Sequence, residues 1–283
     1  MKLGAHISTA GGLQKVFGRA RAWGAEAAQI FASSPQRWQS PEIPADKLAA
    51  FANERIQTQL PVFIHAIYLI SLGSTNPYYQ TASVASLVHA LQVAEQLGAE
   101  GVITHLGSSK GEELAEVFER VAKNIKEILE QTKDCSAKLI LENAAGSGHI
   151  IGDKFTELGK IAKAVKAGDE SRLAFCLDTA HAFASGYDIT TEAGLESILA
   201  EIDNEIGLNK VAAVHLNDTK VALGARVDRH AVIGVGAIGE KSLARVVNHP
   251  KLQVAVGLLE TPDLDAAAES VQSLDILKGL RNG

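Results

Sequence analysis

The sequence predicts an α/β protein of the (β/α)8 TIM-barrel class, and three observations carry that prediction. Short apolar runs rich in Val, Ile and Leu alternate with longer segments of helical period, as repeated strand–helix units around a parallel sheet require. Eight such units fit within 283 residues, an ordinary length for one barrel. No linker or low-complexity stretch interrupts the alternation, so residues 1–283 are expected to form a single domain.

Each unit can be justified in order. The run 2–7 ends near His6, and after Gly11 and Gly12 the residues Leu13, Val16, Phe17 and Ala20 trace a helical face. Run 27–31 leads into the polar loop 33–38 and a helix over roughly 45–59. Strand 62–65 ends at His65 and continues into Ala66, Ile67, Tyr68 and Leu69; a helix over about 83–97 then stops at Gly98. Strand 101–104 is followed by His105. The next helix has the clearest period, with Leu114, Val117, Phe118, Val121, Ile125, Ile128 and Leu129 on one face. Strand 138–141 closes on Glu142, 173–177 on Asp178 and His181, and 211–214 on His215. A loop containing Asp228, Arg229 and His230 precedes a helix near 241–247, and strand 254–259 ends at Glu260.

Composition narrows the class. With 46% hydrophobic and 21% charged residues the chain can bury a large core. No apolar run approaches a membrane span and the N-terminus lacks the apolar centre of a secretory signal, so the protein is expected in the cytoplasm with no membrane partner. Cys135 and Cys176 have no paired-ligand spacing and read as reduced thiols, Cys176 buried in its strand. A formal net charge of −6 argues mildly against a nucleic-acid partner.

In this architecture catalytic groups sit at the C-terminal strand ends and the loops that follow. Those positions hold His65, His105, Glu142, Asp178, His181, His215, Asp228, His230 and Glu260, among them five of the chain's nine histidines. Imidazole nitrogen and carboxylate oxygen are the atoms that zinc and related divalent ions take from proteins. A simpler reading of Asp178 alone is a helix cap with His181 packed beside it. The whole set is harder to explain that way, because converging buried carboxylates are costly unless cations neutralise them. Two or three metals would suffice, and the absence of Cys favours open, water-activating sites over structural zinc.

His6 ends the first strand and faces the same pocket, whereas His89 and His249 read as surface or packing residues. Gly234, Gly236 and Gly239 spell G-x-G-x-x-G, but a dinucleotide fingerprint needs a preceding strand and a later acidic residue. Here the glycines follow the loop of Asp228 and His230, and they are read as a tight turn at the site.

The segments GAHIS (4–8), HAIYLI (65–70), HLGS (105–108), LENAAG (141–146), CLDTAHAFASGYD (176–188), HLND (215–218), DRHAVIGVGAIG (228–239) and LLETP (258–262) together resemble the endonuclease IV family of DNA-repair apurinic/apyrimidinic endonucleases. The resemblance runs over almost the whole chain in the family's order. It implies a trinuclear zinc site, with manganese an alternative at one or more positions, that hydrolyses the phosphodiester 5′ to an abasic site. The products would be a 3′-hydroxyl and a 5′-deoxyribose phosphate, and blocked 3′ ends would also be trimmed. Carried onto matching positions, His65, His105 and Glu142 would hold one zinc. Glu142, Asp178, His215 and Glu260 would hold a second, and His181, Asp228 and His230 a third. Glu142 would bridge and is the expected catalytic residue.

Tyr68 and Leu69 match the family's DNA-insertion pair, and the loop 33–38 normally supplies an Arg wedge; here Gln36 stands at that place and Arg37 follows. Further departures are Ile67 for Pro, Ala180 for Cys, Ser147 for Gln and Val235 for Glu, none of them a ligand. Three zinc ions would contribute +6 against the formal −6. A basic rim of Arg37, Lys110, Lys220, Arg226 and Arg229 could then grip double-stranded DNA locally. A monomer is expected, because a bent duplex needs an open barrel face. A metal-dependent sugar isomerase or epimerase and a non-cleaving lesion-binding protein are the competing readings.

Overall fold

The computed structural model describes residues 1–38, 42–165, 170–261 and 267–281. Each apolar run extends as a strand because both of its faces are covered, one by the barrel interior and one by helices. The barrel strands are β1 (Lys2–His6), β2 (Ala28–Phe31), β3 (Val62–His65), β4 (Gly101–Thr104), β5 (Lys138–Glu142), β6 (Leu173–Asp178), β7 (Val211–His215) and β10 (Val256–Leu259). They pair in parallel in the order β1-β10-β7-β6-β5-β4-β3-β2 and close on themselves, which is the TIM barrel that the alternation predicts. Apart from it, β8 (Asp218–Thr219) pairs antiparallel with β9 (His230–Ala231). No helix among the described residues is long and apolar enough to cross a membrane.

The period of two along a strand decides what enters the barrel. Phe63, Ile103, Ile140, Cys176, Ala213 and Leu258 belong to one small buried cluster. The residue two positions later on each of those strands or strand ends is His65, His105, Glu142, Asp178, His215 or Glu260. The same alternation that builds the apolar plug therefore lifts these polar side chains onto its upper surface. Gly4 on β1 is required by packing, since a Cβ there would lie 2.1 Å from the Ala27 carbonyl oxygen. The larger core lies between strands and helices.

The helices α1 (Val16–Ala22), α2 (Ala45–Thr58), α3 (Pro77–Leu97), α4 (Leu114–Gln131), α5 (Phe155–Val165), α6 (Thr179–Ala184), α7 (Glu192–Glu205), α8 (Glu240–Asn248) and α9 (Ala267–Leu280) follow their strands. Two boundaries shift by two residues or more from the periodicity, and one position on a helical face differs in burial. α3 starts six residues before the apolar period does, with the Asn76 side chain accepting from the Tyr78 amide and Pro77 in the first turn. Its first turns carry exposed Tyr78 and Tyr79, so they leave no buried stripe to read. Leu114 opens α4 but is exposed, and the buried stripe begins at Val117. β10 starts at Val256 rather than 254, because Pro250–Leu252 form a 3-10 turn and Val254 faces solvent.

Candidate metal centre

Two atoms bound about 2.0–2.1 Å from one tetrahedral ion lie about 3.4 Å apart, longer than a good hydrogen bond. That spacing recurs at the barrel mouth. Glu142 Oε2 lies 3.4 Å from His65 Nε2 and 3.5 Å from His105 Nε2. His215 Nδ1 lies 3.5 Å from Glu260 Oε2 and 3.6 Å from Asp178 Oδ2. Asp228 spans two imidazoles, with Oδ2 3.3 Å from His181 Nε2 and Oδ1 3.3 Å from His230 Nε2. Grouped by one ligand atom per residue within 4.8 Å, the side chains fall into three sets: His65, His105, Glu142; Glu142, Asp178, His215, Glu260; and Asp178, His181, His230. Asp178 thus joins the third set, where the resemblance implies Asp228, and Asp228 stands beside it.

The donor set fits metal ions. Glu142 Oε2 and His230 Nε2, both facing the cluster, are buried and have no hydrogen-bond partner, an arrangement proteins avoid unless something else satisfies the atoms. Three of the imidazoles are also turned with one nitrogen committed to the protein and the other to the site. His65 Nδ1 donates to the Ala66 carbonyl at 2.7 Å, His181 Nδ1 to the Asn143 carbonyl at 3.0 Å, and His215 Nε2 to Gln29 Oε1 at 2.8 Å. Asp178 satisfies both of its sequence readings. Oδ1 caps α6 by accepting from the His181 amide, while Oδ2 faces the imidazoles.

The field inside the cluster is negative. Burial opposes charge on Glu142, but His105 and His215, with hydrogen bonds from His181 and His215, hold its carboxyl well below the ordinary range. Burial likewise works against Glu260, and His215 and His65 outweigh it, leaving the carboxyl at about 2. Against their own burial, His215 is raised well above the usual imidazole range by the Cys176 sulfur and the carboxylates of Glu260, Glu142 and Asp178, and His181 by those of Asp178, Asp228 and Glu142. His6, buried beside the cluster, is instead pushed down to about 3 by desolvation. Ionised carboxylates converging on shielded imidazoles make a cation site.

Comparison with known proteins narrows the chemistries that such a barrel mouth can host. A family model described as xylose isomerase-like TIM barrel matches residues 17–280. The chain is 37% identical to a probable endonuclease 4 of Halothermothrix orenii over 279 residues, 98% of this chain and 99% of the relative. The chain belongs to the endonuclease IV family. The crystal structure of endonuclease IV from Thermus thermophilus superposes with a TM-score of 0.87 at 37% identity, covering 99% of this chain and 98% of that one. A D-tagatose 3-epimerase-like protein superposes with a TM-score of 0.73 at 21% identity over 99% of this chain and 97% of that one, a likeness of fold alone. This endonuclease IV family member is accordingly an enzyme of the nuclease class, and its mouth gathers three groups of side chains that could hold metal ions.

Above the cluster a cavity of about 360 Å3 is lined by His65, His105, His181, His230 and Glu260 below and by Tyr68, Lys220 and Arg229 at its rim. Tyr68 is 55% exposed and Leu69 36%, so both members of the expected insertion pair are available. The Tyr68 ring stands edge-on to Phe31 and its amide donates to the Pro35 carbonyl, which ties the β3 loop to the β2 loop carrying exposed Gln36 and Arg37. Of the expected basic rim, Arg226 is already paired with Asp153 at 2.9 Å. Val235 faces solvent at 80% exposure, and Pro262 of the last motif lies outside the described residues.

Sequence reasoning missed a layer of buried amides. Gln29 Nε2 donates to Glu260 Oε1 at 2.5 Å and lies 3.1 Å from His6 Nδ1. Asn217 Nδ2 donates to Asp178 Oδ2 at 2.6 Å, and its Oδ1 accepts from the Glu260 amide at 2.8 Å. Asn143 Oδ1 accepts from the Asp178 amide at 2.7 Å. The period of two already points to Gln29, two residues after inward-facing Ala27, and both asparagines sit one or two positions beyond a strand-end ligand.

Proposed function

We propose that this endonuclease IV family nuclease hydrolyses the phosphodiester 5′ to an abasic site in double-stranded DNA, giving a 3′-hydroxyl and a 5′-deoxyribose phosphate, and trims blocked 3′ ends. The observation that carries this reading is three overlapping ligand sets beneath an open cavity whose rim offers Tyr68, Lys220 and Arg229. His65, His105 and Glu142 would hold one zinc, and Glu142, Asp178, His215 and Glu260 a second. His181, Asp228 and His230 would hold a third, with Asp178 near enough to share, and manganese is an alternative at one or more of these positions. When bound, the metals supply water activated near neutral pH and positive charge for the phosphate and leaving oxygen.

The protein's own groups account for the rest. Glu142 faces His65 and His105 with Oε2 and His215 with Oε1, so it serves two sets at once. Lys220 and Arg229 attract the backbone at the cavity rim, and binding is expected to weaken as salt rises. Burial and the charge of Glu260 push the Tyr68 phenol up to about 12, so it enters the gap left by the missing base as a neutral ring, with Leu69 beside it. No covalent nucleophile is required. The mouth must stay open for a bent duplex, and the protein is read as a monomer acting as one domain.

The test is incision of a duplex carrying a single abasic-site analogue by wild type and Glu142→Gln, with metal analysis of both. Metal-dependent cutting 5′ to the lesion by the wild type alone supports the proposal. Lesion binding without incision, or turnover of a free ketose instead, overturns it.

A further inference from the structure

The glycine-rich stretch 234–239 has no part in the proposed chemistry, yet one buried side chain ties it to the site. Asp218 on β8 is fully shielded from solvent. Its Oδ2 accepts from the amides of Gly234 and Gly236, both at 3.1 Å, and its Oδ1 from Ile238 at 3.0 Å. Gly239 donates to both oxygens at 3.4 and 3.3 Å, and Thr219 donates to Oδ1 at 2.8 Å. The three glycines of the motif follow from this wrapping. Gly234 and Gly239 have φ of +84° and +75°, and a Cβ on Gly236 would lie 2.2 Å from Asp218 Oδ1 and 2.5 Å from the Thr219 carbonyl oxygen.

The same two residues hold the other end of the excursion. Asp218 pairs with Ala231 and Thr219 with His230 in the β8–β9 ladder. The Thr219 hydroxyl and the Lys220 amide both donate to the Arg229 carbonyl, and the Ala237 amide donates to the Thr219 carbonyl. A two-residue ladder is weak on its own. Bonds to an ionised carboxylate are stronger than neutral ones, and a buried carboxylate stripped of its donors is costly. The turn and the carboxylate therefore stabilise each other, and the chain between them is pinned with Asp228 and His230 facing His181.

We propose that Asp218 is a positioning residue that governs metal retention at the His181, Asp228 and His230 position alone, an inference that rests on the reading of those three residues as ligands. Asp218→Asn places an N–H2 among amides that already donate. Purified Asp218→Asn is expected to carry one metal equivalent fewer than wild type, with about 10- to 100-fold weaker affinity at that position. Its incision should recover in excess zinc, and amide hydrogen exchange should accelerate over 230–239. Gly236→Ala, which pushes on the same carboxylate from the other side, should reproduce all three effects. In wild type the amides of 234, 236, 238 and 239 should exchange slowly although 234, 235 and 237 are exposed.

Wild-type metal content and unchanged exchange in Asp218→Asn would overturn the proposal, as would equal loss from every position. Rapid exchange of those four amides in wild type would overturn it too. Where Asp218→Asn does not fold, the metal content and amide exchange of Gly236→Ala decide the matter. Wild type that binds no metal overturns this proposal together with the functional reading, whereas wild type that binds metal but does not incise overturns the functional reading alone.

Discussion

The strand-end side chains and the loop pair meet in one cluster at the barrel mouth, but they are held there by different means. His65, Glu142, Asp178 and His215 are almost wholly buried on β3, β5, β6 and β7, where sheet register fixes their height. Gln29 and Asn217 then fix the rotation of His215 and Asp178. Asp228 is 53% exposed at its side chain, and with His230 it rides on a long excursion held through backbone amides on Asp218. A site built half on a rigid sheet and half on a loop can lose the second half without losing the fold. Metal held at the strand ends would thus be coupled to the barrel core, and metal held at the loop to one anchor.

The largest effect that would sharpen this contrast comes from comparing His215→Ala with His230→Ala. Losing His215 leaves Glu142 and Asp178 buried with one fewer partner, which costs about 3–5 kcal/mol when one member of a buried charged pair is removed. Incision of an abasic duplex should fall roughly 10^3-fold or more, since groups that stabilise transition-state charge are worth that much. The melting midpoint should drop with it. His230→Ala should lose one metal equivalent and much of the incision, yet melt within a few degrees of wild type. Equal losses of melting midpoint in the two variants would break the division.

A smaller effect is expected at Gln29. Gln29→Leu keeps the side-chain volume while removing the donor to Glu260 and the acceptor for His215. Groups of this kind typically contribute 10- to 100-fold in metal affinity, so about that weakening should appear in chelator competition. It should be confined to the set containing His215 and Glu260, with the loop metal retained. Loss of the loop metal instead would mean that the two halves communicate through the barrel.

Most of the strand-end half is legible in the sequence, because alternation with period two converts directly into which side chains meet. His65, His105, Glu142, Asp178, His215 and Glu260 end runs whose inward positions are apolar up to that point. Gln29 escapes notice because it interrupts such a run instead of ending one. The role of Asp218 is not legible, since its partners lie 16 to 21 residues away in a stretch without period. The glycines announce a turn but not what the turn closes on. Arg226 reads as a free rim charge because nothing local in sequence brings Asp153 to it.

The smallest expected effect tests whether the loop half is set by backbone or by side chains. Val235 sits at the tip of the anchored turn, exposed, where the family resemblance implies a glutamate. If the turn is held by its amides on Asp218, a side chain at that tip is free to vary, and Val235→Glu should change thermal stability by no more than about 0.5 kcal/mol. Metal content should stay at the wild-type value. The added carboxylate stands near a rim that includes Lys220 and Arg229, so it should weaken DNA binding slightly at low salt and not at high salt, where exposed charges are screened. A several-fold gain in incision with an added metal equivalent would show that the tip reaches the metals after all. The loop would then owe its geometry to its side chains as much as to its anchor.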